Sequence, residues 1–395
     1  MINGTEWAAV IVGGGPAGAA MAIRLARLGH EVLLLDRDEF PRPKPCGECL
    51  SPAAVMELQE LGLLESVLAL PHQRLAGWKI SAPSGRGFQG SFPSPHFGIA
   101  IQRSRFDHLL LREASRAGAQ VRCGERVADL LWAADRVVGV RTGTEETGEE
   151  IRARLVIGAD GLRSVVVRRL GLLRRQPRLK KLALTAHVRG DAIPRRRGEL
   201  HVLRDGSVGI ASVGGGMSNL TVVLDAESIA AEVAGNREEF FDNFIAEHPR
   251  FASLQRQDDV LATGPFDWPV RSAVAEGAIL IGDAAGYYDP FTGQGMFRAL
   301  RGAAIAARHV HPALRNGYPS QEGLAGYERE RRRAFRPGER LQRLIEAVVA
   351  RERVIDFVAG RLQSAPALAD ALVAVTADIY PVRSLLHPRL LRQIA

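Results

Sequence analysis

Apolar positions along the chain switch between the periods of strand and helix. Residues 8–12 form an unbroken apolar run, as a strand buried on both faces requires. Helical spacing follows to Leu28, Gly29 marks an end, and a second strand pattern covers residues 31–35. Phe106, Leu109, Leu110 and Ala114 share one helix face in a segment that begins near residue 101. Short strands are predicted around Val121 and Val127, then a hairpin of residues 137–140 against 151–155, and a strand through Ile157. Residues 76–100 and 180–272 alternate with period two between Gly, Pro and Arg-rich turns, which predicts an antiparallel sheet. Within it, residues 207–213 and 220–224 flank three consecutive glycines as a hairpin. A buried strand at 278–281 and a helix at 297–309 come next. Beyond Tyr327 the pattern is helical, with Leu341, Leu344, Ile345, Val348, Ile355, Val358 and Leu362 in step. Alternating strands and helices of this kind predict an α/β protein.

The chain has 395 residues, 46% of them apolar and 24% charged, enough for two domains or one elaborated one. The net charge of +8 comes overwhelmingly from Arg, with Lys only at 44, 79, 180 and 181. These charges are scattered and lack interleaved aromatics, so no nucleic-acid partner is expected. Three cysteines cannot build a disulfide framework, and the uncharged residues 7–23 hold four Gly and a Pro with no basic leader. The expectation is a soluble cytoplasmic protein.

The first strand runs into "GGGPAG". Gly13 permits a tight turn, Gly15 lets backbone approach a pyrophosphate, and Gly18 lets helix and strand pack closely. The helix start, beginning near Ala17, offers N–H groups to phosphates. Asp36, just after the second strand, can accept bonds from an adenosine ribose. NAD and FAD both fit this pattern. "GADG" sets Asp160 at another strand end, where open α/β sheets bind ligands. Arg103 stands at a helix entrance, either holding an anion or solvated.

The stretch "GDAAGYYDPFTGQGM" narrows the choice. Asp283 lies beyond a third strand end and can accept bonds from a ribityl chain. The turn of Gly293, Gly295 and Met296 aims helix N–H groups at the pyrimidine edge of a flavin. Negative charge on a reduced flavin there gains ~1 kcal/mol from such a terminus.

Together, "GGGPAG", the R-x-x-F-D of residues 103–107, "GADG" and "GDAAG..DPFTGQGM" resemble the flavoprotein superfamily of p-hydroxybenzoate hydroxylase, geranylgeranyl reductases and flavin-dependent halogenases, over residues 7–310. The resemblance implies FAD held by Gly13, Gly15, Ala17, Gly18, Asp36, Arg103, the backbone near Val127, Asp283, Gly295 and Met296. Asp160 would lie near the pyrophosphate and the nicotinamide route. The fold implied is a Rossmann-like, glutathione-reductase-like FAD domain (1–75, 101–178 and 273–325). It is interleaved with an antiparallel β-sheet substrate domain (76–100 and 179–272) and followed by C-terminal helices (326–395).

Branch signals diverge. "DPFTGQGM" and Cys46-Gly47 are similar to the reductases, whereas Gly47-Glu48 with Ser51-Pro52 is similar to halogenases and neighbouring monooxygenases. The halogenases' Trp-x-Trp-x-Ile-Pro segment is missing, and Lys79 reads as a roof residue with its head in water. Cys46-x-x-Cys49 lacks the second dinucleotide motif of disulfide reductases and the further ligands of a zinc site. It reads as a loop where Gly47 lets backbone approach the flavin. His96, His187 and His201 read as strand residues with satisfied side chains, without a proton-transfer role.

The resemblance implies NAD(P)H as electron donor and an apolar or aromatic small-molecule substrate. The favoured reaction is hydroxylation of an aromatic, quinone or polyketide-like ring through a flavin C4a-hydroperoxide; alkene reduction on a prenyl or lipid chain is the alternative. From Glu328 onward, 13 Arg stand against 8 acids, a surplus of five. Two readings follow: helices packed on the FAD domain with a solvated Arg face, or a surface for peripheral membrane contact or lipid-like substrate.

Overall fold

The computed structural model describes residues 6–144, 147–191 and 193–386. Its centre is a six-stranded sheet in the order Val274–Ala275, Ala278–Leu280, Val156–Gly158, Ala9–Val12, Val32–Leu35 and Gln120–Arg122. All neighbours pair in parallel except the first two. The apolar runs explain this, because Ala9–Val12, Val32–Leu35 and Ala278–Leu280 are buried at every position. Helices Pro16–Arg27, Arg103–Arg116 and Gly295–Arg315 cover the sheet with the residues predicted to be apolar-facing, such as Phe106, Leu110 and Ala114. Val127–Ala133, Arg136–Thr142 and Glu150–Arg152 form a separate antiparallel sheet.

A second, eight-stranded sheet stands over the first. It runs from Gln255–Arg256 through Lys181–Arg189, Met217–Asp225, Gly206–Gly214, Gly198–Val202 and Gly77–Ser81 to Gly87–Ser91, with Leu261–Thr263 beside Lys181–Arg189. The predicted hairpin is there: Gly214, Gly215 and Gly216 all take positive φ between its long strands. The fold is therefore mixed α/β, a Rossmann-like sheet under a roof that is antiparallel as expected except where Gly198–Val202 runs parallel to Gly77–Ser81.

Three expectations need correction. The period-two reading of residues 180–272 missed the helix Ala226–Glu247, whose Ile229, Phe241 and Ile245 pack on the outer face of the roof. A kink at Asn236, which is non-helical (φ −155°, ψ 96°), breaks the helix in two, so no single continuous stripe stood out. His96 lies in a loop rather than a strand, its N donating to Pro93 O at 2.9 Å. The C-terminal helices do not all lie on the FAD domain. Ala325–Val349 does, with Tyr327 Oη donating to Leu280 O at 2.7 Å and Arg331 to Ala285 O at 3.0 Å. Glu352–Gln363 and Pro366–Thr376 pack on the roof instead, where Ile355, Ala359 and Leu362 meet Phe88 and Val202. Among the described residues, no helix is long and apolar enough to cross a membrane.

Candidate functional site: a dinucleotide cradle beneath an apolar chamber

Between the two sheets lies a cavity of about 1500 Å³, above the roughly 300–1,000 Å³ of common ligand pockets. Of the residues singled out from sequence, Gly13, Gly15, Ala17, Asp36, Cys46, Gly47, Arg103, Val127, Asp160, Asp283, Gly293, Gly295 and Met296 all line it. Gly18 does not. A Cβ on Gly18 would lie 1.9 Å from Gly13 O, so this glycine seats helix against strand, as its place in the motif implies.

The cradle follows from backbone geometry. Gly13 has φ +106°, and a Cβ there would strike Ala159 O at 2.5 Å. A Cβ on Gly15 would meet nothing within 4 Å and would fill cavity space instead. No side chain caps the helix Pro16–Arg27, so its first N–H groups remain open to a ligand. Asp36 holds the turn in place by accepting from Gly14 N at 2.6 Å and Asp38 N at 2.9 Å.

Arg103 and Asp160, both on the cavity wall, are also held by local partners. Arg103 is neither solvated nor a free anion site: it is buried, and its Nε and one terminal nitrogen each donate to Asp107 at 2.7 Å. Asp160 spends its carboxylate on Ser164 Oγ (2.6 Å) and Val165 N (2.6 Å), capping the turn that follows.

Asp283 behaves otherwise. It sits in the turn Gly282–Ala285 and lines the cavity, and while its backbone oxygen accepts from Gly286 N at 3.0 Å, its carboxylate accepts no hydrogen bond from any described residue. Burial pushes its pKa up, opposed by Lys44, Arg298 and Arg103. Beyond it, helix Gly295–Arg315 also starts without a side-chain cap, because Gln294 turns away to donate to Thr376 O and Asp378. An open carboxylate between two open helix starts suits a long cofactor with hydroxyls in its middle and anionic charge toward both helix starts. The donor set thus fits FAD.

Sequence reading missed how the loop over this cradle is held. Glu48, buried and at φ +56°, accepts from Arg103 N at 2.6 Å and bonds His187 Nε2 at 2.8 Å. His187 Nδ1 reaches Asp258 at 2.5 Å. Asn219 adds a bond from the roof to Cys46 O at 2.9 Å. These partners are far apart in sequence, so no local pattern pointed to them. Cys46, Cys49 and Cys123 are free, and burial pushes the Cys49 thiol far up, so it stays protonated.

Burial would lower the His187 pKa, but bonds to Asp258 and Glu48 outweigh it and hold the ring at about 10, against an ordinary 6.5. A pKa raised on folding stabilises fully below pH 6.5 and is lost as pH rises through about 10. The expected outcome is that His187→Asn lowers stability by about 2 kcal/mol at pH 6, after discounting for the half-exposed Asp258. The gap to wild type should narrow steadily toward pH 10. Urea melts across that range check it, and a gap independent of pH would contradict the charge.

The far side of the cavity is an apolar chamber. Roof residues Trp78, Ile80 and Phe88 form one wall, and Ile345, Ile355 and Leu362 of the C-terminal helices form another. Lys79, between Trp78 and Ile80, is exposed and does not line the chamber. Lys181 ties the wall to the cradle: it bonds Glu346 at 2.6 Å and lies 3.7 Å from the buried Asp289 of the D-P-F-T-G loop.

Comparison with known proteins agrees with this geometry. A 1H-pyrrole-2-carbonyl-[peptidyl-carrier protein] chlorinase from Pseudomonas fluorescens is 27% identical over 370 residues, covering 82% of this chain and 80% of that protein. A digeranylgeranylglycerophospholipid reductase from Methanopyrus kandleri is 30% identical over 336 residues, covering 82% and 81%. The structure of a myxobacterial chondrochloren halogenase superposes with TM-score 0.78 at 26% identity, covering 87% of this chain and 82% of that one. The family model described as "FAD binding domain" matches residues 6–339, so the chain belongs to that family, among flavin-dependent oxidoreductases.

Proposed function

We propose that this chain is an NAD(P)H-dependent monooxygenase that hydroxylates an aromatic, quinone or polyketide-like ring held in the chamber. The observation that carries this reading is the chamber itself: an apolar space joined to the cofactor cradle, walled by Trp78, Ile80 and Phe88 on one side and by aliphatic helix residues on the other. Bound FAD would supply two-electron transfer and activation of O₂. The protein's part is to keep that chemistry dry, since water diverts activated oxygen, and to hold the ring against the cofactor. Gly13, Gly15 and the first helix would hold the pyrophosphate, Asp283 the ribityl chain. The start of helix Gly295–Arg315 would favour negative charge on the reduced ring. Pinning of the Cys46–Glu48 loop through His187 would fix the cofactor's edge relative to the roof.

A second reading, reduction of alkene bonds in a prenyl or lipid chain, has its own support in the 30% identity to the Methanopyrus reductase. The two are separated by reducing the FAD-loaded protein with NADPH or NADH and supplying either ¹⁸O₂ with candidate phenols and quinones or a prenyl lipid without oxygen. Product mass spectrometry should find one ¹⁸O atom in the ring product and no saturation of the lipid. Saturation under anaerobic conditions, with no oxygen transfer in the other arm, would replace hydroxylation with reduction.

A further inference from the structure

Helix Ala325–Val349 presents arginines to both its faces, and the two faces differ. On the inner side Arg331 pairs with Glu328. On the outer side Arg329, Arg333, Arg336 and Arg340 recur at steps of four, three and four residues, a single stripe about 16 Å long at the helical rise. None of these four has a carboxylate partner among the described residues, and all are exposed. Arg332, beside them, is held by Glu328 and by Arg271 O. Like charges at these spacings repel, so the stripe disfavours the helix unless an anion lies along it.

The stripe borders a shallow surface groove of about 650 Å³, and the groove's end is formed by Leu341 and Leu344, which also line the apolar chamber. Leu344 is 61% exposed, an apolar side chain set between a cationic groove and a greasy interior. Guanidinium forks match the oxygens of a phosphate, each able to give two parallel hydrogen bonds. A groove that ends at two apolar side chains suits one compact, multiply charged group with an apolar extension.

We propose that this groove holds the phosphate headgroup of an amphipathic substrate whose apolar part passes Leu341 and Leu344 into the chamber. The proposal rests on the reading that the chamber holds substrate, and it names the substrate's class: an apolar ring or chain carrying an organophosphate. Leu344 would then be the threshold where charge ends and apolar contact begins.

The test uses FAD-loaded protein and monomeric decyl phosphate, decanol and inorganic phosphate as probes, with binding measured by calorimetry and by the change in flavin absorbance. Decyl phosphate should bind at least about tenfold tighter than decanol, weaken as salt rises, and be displaced by inorganic phosphate. In the Arg333→Gln/Arg336→Gln variant, decyl phosphate should fall to the affinity of decanol, while decanol binding and flavin content stay unchanged and the melting temperature holds or rises as the repulsion is relieved. Equal affinities in the wild type, or an unchanged preference in the variant, would overturn the proposal. Binding to anionic phospholipid vesicles without any preference for monomeric decyl phosphate would overturn it in favour of a membrane-facing surface. Phosphate binding that the variant loses, with no entry of decanol and no flavin response, would support the groove and count against the chamber reading instead.

Discussion

Asp283→Ala should yield a folded protein that binds FAD about ten- to a hundredfold more weakly than wild type. The argument rests on what the carboxylate lacks. It lines the cavity and accepts no hydrogen bond from a described residue, so its removal strands no protein donor. A hydrogen bond to a charged group contributes about 1.5–3 kcal/mol, which sets the range. Burial raises its pKa, so the ligand-free protein should hold its melting temperature or gain slightly when the carboxylate goes. Flavin fluorescence titration and thermal melts of the ligand-free form give the two readouts. Unchanged FAD affinity would remove Asp283 from the cofactor site; a large loss of stability without FAD would make its role structural.

Asp107→Ala should damage the fold rather than the site, by about 3–5 kcal/mol. Asp107 is fully buried and takes two bonds from Arg103, with Arg42 3.6 Å away. Truncating it leaves a guanidinium buried without its counter-charge, and that penalty exceeds the worth of the pair. The control is the double replacement Arg103→Met/Asp107→Leu, which removes both charges and should regain most of the lost stability. Urea denaturation of the two variants checks this. A single variant as stable as wild type would mean that Arg103 finds another anion or water.

How much of this was legible beforehand differs by element. The parallel sheet was readable because residues such as Val10, Ile11 and Leu34 form runs too apolar for a surface strand. The cofactor cradle was readable because backbone conformation restricts residue type: only glycine suits the space at Gly13 and Gly18. The Ala226–Glu247 helix was hidden because the kink at Asn236 interrupts its apolar stripe. Arg103 and Asp160 were correctly placed at the cavity, but their local partners, Asp107 and Ser164, four residues on in each case, take up the charge. The Glu48–His187–Asp258 link was illegible for a different reason. Nothing in local patterning encodes which two distant carboxylates a strand histidine will meet.

The family-wide match ends at residue 339, and the helical wall of the chamber begins at Leu341 and continues to Thr376. One wall of the chamber thus lies beyond the family match, while the facing wall, with Trp78, Ile80 and Phe88, lies within it. Exchanging this last stretch would rebuild that wall, and it would also remove the anchors that Thr376 and Asp378 give Gln294 at the start of helix Gly295–Arg315, so the two halves of the cavity can change only together.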